Sequence, residues 1–329
     1  MAKIAVLGTG AWGTALANIL LENHHQVAMW GINPNEVNYI KKRLNPKYFT
    51  TKKLVATPDL VTTDLLEILR FNPQYIILAV PSKYIISTIK SFIDDLKTKC
   101  VFVNVAKGLN PRNNNIWSIS IKKIIKNKCK GLVTLIGPSF ATEVFKNEPT
   151  MVNTVSSNLL LAKKVGILFN NHHFKCIEID DEIGAEILGA SKNVMAIALG
   201  VTYELHTSIN TRAALLAQVT KEIARIVHFY GGRQETMMQF CGIGDIYLTC
   251  TDDHSRNFSF GKNIAKVGVT NALVGNTKTI EGYETTKILY EIVKQHHINA
   301  PVLIEIYKIL FANKNPKFFV RNVIKKIIQ

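Results

Sequence analysis

The sequence predicts an α/β fold: a doubly wound, mostly parallel sheet followed by an all-helical C-terminal domain. Three observations carry that prediction. Apolar strand-like runs alternate with helical patterns through about the first 180 residues, the signature of a parallel sheet with covering helices. Long helical stretches with few strand candidates begin at Glu182. The first strand also runs into a glycine-rich turn that opens directly into a helix. At 329 residues the chain exceeds the size at which single cores stop growing, so two domains are expected, 1–188 and 189–329. No low-complexity linker separates them, which places the boundary in or beside a helix.

The first strand is the apolar run 4–7, ending in Gly8, Thr9, Gly10, Ala11, Trp12, Gly13. Gly8 allows a tight turn, Gly10 keeps side chains out of the way of a ligand, and Gly13 lets the following helix lie close to the strand. Free N–H groups and the positive dipole end of that helix then face an anion. This is the arrangement of a Rossmann-type pyrophosphate cradle, and a plain tight turn is the alternative. Further strands are expected at 26–30, 54–56, 75–80, 101–105, 132–136, 150–155 and 174–178. Functional residues in such sheets gather at the carboxyl ends of strands. Those ends carry Pro81 and Ser82, then Lys107 and Gly108, then Gly137, Pro138 and Ser139. Helices are expected over 182–205, 212–229 and 258–267.

The formal net charge of +16 raises the question of nucleic acid. The lysines are scattered singly or in pairs on the polar side of amphipathic patterns, which reads as solvated helix faces. The field still favours small anions such as phosphate-bearing ligands. No apolar stretch reaches the roughly 20 residues of a membrane span, and the first residues do not read as a signal peptide. Five cysteines, an odd number without a C-x-x-C pair, fit reduced thiols and a cytoplasmic protein. The nine histidines include three adjacent pairs, whose members point different ways on a helix or strand, so no metal site is expected. The apolar and basic end, 318–329, could lie on a membrane, but a last helix packed on the core is the expected state.

In the second domain Lys192 sits among small and apolar residues, Gly189, Ala190, Ser191, Asn193 and Val194. A desolvated lysine can exchange its proton near working pH, whereas one that snorkels to solvent from a packed helix has no such role. A second segment favours chemistry. Gly242, Ile243, Gly244 and Asp245 lead to Ser255, Arg256 and Asn257 at a helix start. Arg256 offers a planar fork for phosphate, while capping alone could account for Ser255 and Asn257.

These stretches resemble the bacterial NAD(P)-dependent glycerol-3-phosphate dehydrogenases from end to end. The resemblance is carried by GTGAWGTALA from Gly8, AKGL from Ala106, GPSFATE from Gly137, GASKNVMAIALG from Gly189, NTRAAL from Asn210, GIGDIYLTCTDDHSRN from Gly242 and IEGYETTK from Ile280. It implies that Lys192 is the catalytic proton donor and acceptor with Asp245 beside it. It also implies that Lys107, Gly137, Ser139, Ser255, Arg256 and Asn257 bind the substrate, dihydroxyacetone phosphate. Cofactor contacts would fall on Gly8, Gly10, Ala11, Trp12, Gly13, Ile32, Lys107, Ala141, Arg256, Thr279 and Glu281. A cytoplasmic homodimer supplying glycerol 3-phosphate for phospholipid synthesis is the matching expectation.

The second strand ends in Trp30, Gly31, Ile32 without the acidic residue that grips an NAD ribose or the base that suits a 2′-phosphate. Many members of the family carry Arg or His at the position of Ile32, so NADH and NADPH both stay open. Ser139 and Ala11 replace the Thr and Ser also seen there. Two other readings are a 3-hydroxyacid or ketopantoate dehydrogenase and a non-catalytic dinucleotide-sensing protein. A phosphate clamp at Ser255 to Asn257 has no purpose in the first, and an intact Lys192 with Asp245 none in the second.

Overall fold

The computed structural model describes residues 1–110, 112–275 and 280–328. They form two compact units. One holds Met1–Asn110 and Asn115–Glu182; the other holds 112–114, 183–275 and 280–328.

In the first unit β1 (Lys3–Leu7) leads into α1 (Ala11–Glu22) and β2 (Gln26–Trp30) into α2 (Pro34–Lys41). β3 (Leu60–Thr62), α3 (Leu65–Arg70), β4 (Tyr75–Leu78), α4 (Ile85–Lys90), β5 (Cys100–Asn104) and α5 (Trp117–Ile125) continue the alternation. β6 (Cys129–Ile136), α6 (Ala141–Phe145), β7 (Thr150–Val155), α7 (Leu159–Phe169) and β8 (Phe174–Ile179) complete it. The strands lie in one sheet in the order β3-β2-β1-β4-β5-β6-β7-β8. Every neighbouring pair is parallel except β6 with β7. Period-two alternation sends Ile4 and Val6 into one hydrophobic layer and Ala5 and Leu7 into the other, so β1 is buried on both faces. Strand order reverses between β1 and β4, the place where an open α/β sheet leaves a crevice for a ligand.

One expected strand is absent. Residues 54–56 lie outside the sheet, and β3 forms at Leu60–Thr62 instead. Other groups satisfy that segment's backbone. Leu54 N–H donates to Arg43 O at 2.9 Å, and Val55 N–H donates to Asn18 Oδ1 at 2.8 Å. The Arg43 guanidinium donates to the carbonyls of Leu54 and Val55 at 2.7 and 2.8 Å. Leu54 is fully buried, so its apolar signal was real but marked a core plug rather than a strand.

The second unit contains no strand among its described residues. Its helices are α8 (Glu182–Glu204), α9 (Ile209–Phe229), α10 (Asp245–Thr251), α11 (Arg256–Val274), α12 (Glu281–Gln295), α13 (Pro301–Phe311) and α14 (Phe319–Ile328). Every residue of α8 from Gly184 to Thr202 is buried, which a helix apolar and small on all sides permits. Gly200 and Gly261 let α8 and α11 cross with backbones touching: a Cβ on Gly200 would fall 2.1 Å from Phe258 O, and one on Gly261 2.0 Å from Ile197 O. The pattern expected over 258–267 ends where α11 breaks, at Gly268 with φ +80°. From α9, Glu222 accepts from the backbone N–H groups of Val302 and Leu303 at 2.9 and 3.1 Å and so caps α13. The last helix, α14, packs Phe319 and Val323 against the core, as expected for 318–329. No helix of the described residues is long and apolar enough to cross a membrane.

Candidate active site

The glycine turn places each glycine where its lack of a side chain is used. Gly8 has φ +131°, and a Cβ there would meet Ala79 O at 2.5 Å, just past β4. A Cβ on Gly13 would fall 2.2 Å from Gly8 O, so α1 approaches the turn as closely as backbones allow. Gly10 caps α1 in extended conformation and has no atom within 4 Å of its missing Cβ, leaving that position open. This is the geometry a pyrophosphate needs: uncovered N–H groups at a helix start, with no side chain in front. Ala11 and Trp12, both half-buried, open the same helix.

The back of the turn is pinned by side chains that the sequence did not single out. Asn45 Nδ2 donates to Thr9 O at 2.9 Å and to Thr14 Oγ1 at 2.8 Å. Thr9 Oγ1 donates to Glu36 Oε2 at 2.6 Å, and Lys47 Nζ donates to the other carboxylate oxygen at 2.8 Å. Burial opposes ionisation of Glu36, but the hydrogen bonds from Lys47 and Thr9 and the Lys47 charge outweigh it, holding the carboxyl below its usual range. Glu36, the first acidic residue after β2, thus lies in α2 with both carboxylate oxygens engaged. Ile32 stands at the strand end 80% exposed.

Elsewhere in the sheet unit three expected substrate residues come together. Lys107 Nζ, after β5, donates to Gly137 O at 3.0 Å, and Ser139 Oγ donates to the same carbonyl at 3.1 Å. Ala141 begins α6 just beyond them.

The centre of the helical unit is a buried ion pair between Lys192 Nζ and Asp245 Oδ1, with Lys192 2% exposed and Asp245 0%. The lysine does not snorkel. Lys192 projects from the middle of α8, whereas Asp245 is the first residue of α10, where a negative charge suits the helix dipole. The π-helical turn Phe240–Gly244 precedes it. Thr249 completes the group: its Oγ1 accepts from Lys192 Nζ at 3.0 Å and donates to Asp245 Oδ1 at 3.5 Å. Sequence reading missed Thr249, although it lies four residues after Asp245 on one helix face, a spacing that brings side chains together. Cys250 Sγ lies 3.8 Å from Lys192 O, its thiol pushed up to about 12 by burial and so kept protonated.

The arm of the predicted phosphate clamp divides its work. Ser255 Oγ accepts from Phe258 N at 3.3 Å and caps α11, while Asn257 Oδ1 accepts from Gly282 N at 3.0 Å. Arg256 is exposed on the first turn. Glu281 opens α12 and accepts from Asn193 Nδ2 at 3.2 Å, so the start of α12 is tied both to the residue after Lys192 and to the clamp. Thr279, an expected cofactor contact, lies outside the described residues.

Known proteins share this architecture. Family models for the N-terminus and the C-terminus of NAD-dependent glycerol-3-phosphate dehydrogenase match residues 3–162 and 181–321. The glycerol-3-phosphate dehydrogenase (NAD(P)+) of Malacoplasma penetrans is 41% identical over 96% of this chain and 94% of its own length. That of Bacillus velezensis is 33% identical over 99% and 95%. The crystal structure of glycerol-3-phosphate dehydrogenase from Coxiella burnetii superposes with a TM-score of 0.89 at 29% identity, covering 98% of this chain and 99% of that one.

Proposed function

The chain belongs to the NAD-dependent glycerol-3-phosphate dehydrogenase family, and on that premise we propose that it reduces dihydroxyacetone phosphate reversibly to sn-glycerol 3-phosphate, with Lys192 as proton donor and acceptor. The observation that carries this reading is the buried Lys192–Asp245 pair with Thr249 bridging it. An ammonium so placed is desolvated yet compensated. It can polarise a ketone oxygen and give it a proton without leaving an unpaired charge in the resting state.

Reduction of the ketone requires a hydride at carbon and a proton at oxygen. When bound, the nicotinamide of NAD(P)H supplies the hydride. Lys192 Nζ delivers the proton to the carbonyl oxygen and becomes a neutral amine; in the reverse direction the amine takes the alcohol proton. Asp245 stabilises the ammonium form, and Thr249 fixes the direction in which Nζ points. Arg256, with Ser255 and Asn257 at the start of α11, holds the substrate phosphate and orients the ketone. Lys107, Gly137 and Ser139 are assigned further substrate contacts. Gly8, Gly10, Ala11, Trp12 and Gly13 cradle the pyrophosphate, and Ile32, Lys107, Ala141, Arg256 and Glu281 contact the rest of the nucleotide.

Residues 1–188 accordingly serve as the dinucleotide-binding domain and 189–329 as the substrate and catalytic domain. A cytoplasmic homodimer that feeds glycerophospholipid synthesis completes the proposal, supported by the family resemblance; light scattering checks the dimer. The activity is tested by following NADH and NADPH oxidation with dihydroxyacetone phosphate beside unphosphorylated ketoacids. Oxidation with the phosphate ester alone is expected, and silence with it but activity with a ketoacid refutes the reading.

A further inference from the structure

The end of the chain carries a surface that the dehydrogenase chemistry does not use. From residue 311 to 329 the sequence holds five basic residues and no acidic one. The structure sorts α14 into three stripes. The inner stripe, Phe319 and Val323, is buried, and Lys326 Nζ pairs with the buried Glu305 of α13 at 2.5 Å, which fixes the helix in place. About a quarter turn round the helix from the inner stripe, Val320, Ile324 and Ile327 recur at i, i+4, i+7, with Ile324 and Ile327 each 48% exposed. Beside them and facing away from the core are Arg321 and Lys325, with Lys317 in the 3-10 turn (Pro316–Phe318) that leads into the helix, all three exposed. Phe318, at the entry to the helix, is 52% exposed.

An apolar stripe flanked by a cationic one on an already folded helix is the form of a helix that lies in a lipid interface. We propose that this outer face of α14 binds reversibly to the surface of an anionic lipid bilayer, Ile324 and Ile327 entering the headgroup boundary while Lys317, Arg321 and Lys325 meet lipid phosphates. Charge decides between occupants. A second copy packed symmetrically on this face would set three cations against three cations, and an apolar strip this narrow is far smaller than the roughly 800 Å² per partner of a stable interface. A nucleic acid would satisfy the cations but leave the isoleucines in water. An anionic bilayer satisfies both stripes, and the net charge of +16 draws the whole chain towards it.

The test is co-sedimentation of the full-length protein with vesicles of pure phosphatidylcholine or of phosphatidylcholine and phosphatidylglycerol in equal parts, at low and high salt. Binding is expected to the anionic vesicles alone and to fall with salt. Ile324→Asp with Ile327→Asp, and separately Arg321→Glu with Lys325→Glu, should each weaken vesicle affinity at least about tenfold. The control Lys97→Glu with Lys99→Glu, exposed lysines in the other unit, should lose little. Circular dichroism and turnover in solution should match the parent for all three, since none lies in the proposed catalytic machinery. Equal binding to neutral vesicles or none to anionic ones overturns the proposal. So does binding retained by the isoleucine variant, which assigns the face to a purely electrostatic partner, or a loss of oligomer mass in either α14 variant, which assigns it to a second copy.

Discussion

Two of the buried carboxylates of the helical unit, Asp245 and Glu222, are each 0% exposed, and they are kept there by different means. Asp245 faces a full positive charge on Lys192, with the Thr249 hydroxyl between them. Glu222 meets dipoles: the N–H groups of Val302 and Leu303 at the start of α13 and the Gln218 amide at 2.9 Å. Dipoles compensate less completely. Burial dominates at Glu222 and pushes its carboxyl up to about 7, although those hydrogen bonds and Arg225 pull the other way. The comparison separates two uses of a buried acid. At α13 it joins two helices, and at α8 it holds a buried cation, the one to which the proton transfer is assigned in the proposal.

The largest effect should come from breaking the charged pair on one side only. Lys192→Met removes the positive charge that faces the buried Asp245 and should cost about 3–5 kcal/mol of stability in denaturant unfolding. Adding Asp245→Leu to that variant should return much of the loss, because two apolar groups replace two charges, while turnover stays as low as in the single variant. If the double variant is no more stable than the single one, the pair is not compensated as described.

Thr249→Val should lower kcat about tenfold or more with little change in KM, since losing one hydrogen bond to a charged group is worth about 1.5–3 kcal/mol. A change confined to KM would place Thr249 at the substrate rather than at the lysine.

The variant that sharpens the contrast is Glu222→Gln. Because the folded-state value near 7 lies above the 4.5 of a free glutamate, the folded chain binds this proton more tightly than the unfolded one. The stability it contributes is complete below about pH 4.5 and is lost as pH rises through about 7. Melting curves across that window should show the parent losing stability with pH in a component that Glu222→Gln lacks, with kcat unchanged. A parallel loss in both proteins would assign the pH dependence elsewhere.

Much of this was legible in the sequence where local chemistry decides. The glycine turn, the strands at 26–30 and 150–155, and the buried lysine follow from residue types at fixed spacing, and the structure places them accordingly. Residues 54–56 misled because a short apolar run looks the same whether it enters a sheet or plugs a core; Asn18 and Arg43 decide between them from far along the chain. Glu36 and Asn45 were missed because they act on the back of the glycine turn through tertiary hydrogen bonds. For Ser255 and Asn257 the sequence left both a ligand and capping open, and in the structure Ser255 caps α11 while Asn257 accepts from the backbone N–H of Gly282.

The central claim is that Lys192 supplies the proton, and it is tested most directly by the turnover of Lys192→Met with saturating dihydroxyacetone phosphate, NADH or NADPH binding being followed by fluorescence on the same sample. The account predicts kcat reduced about 10²–10⁴-fold with cofactor affinity unchanged. Turnover within a few-fold of the parent, in a variant that binds cofactor normally, would contradict it.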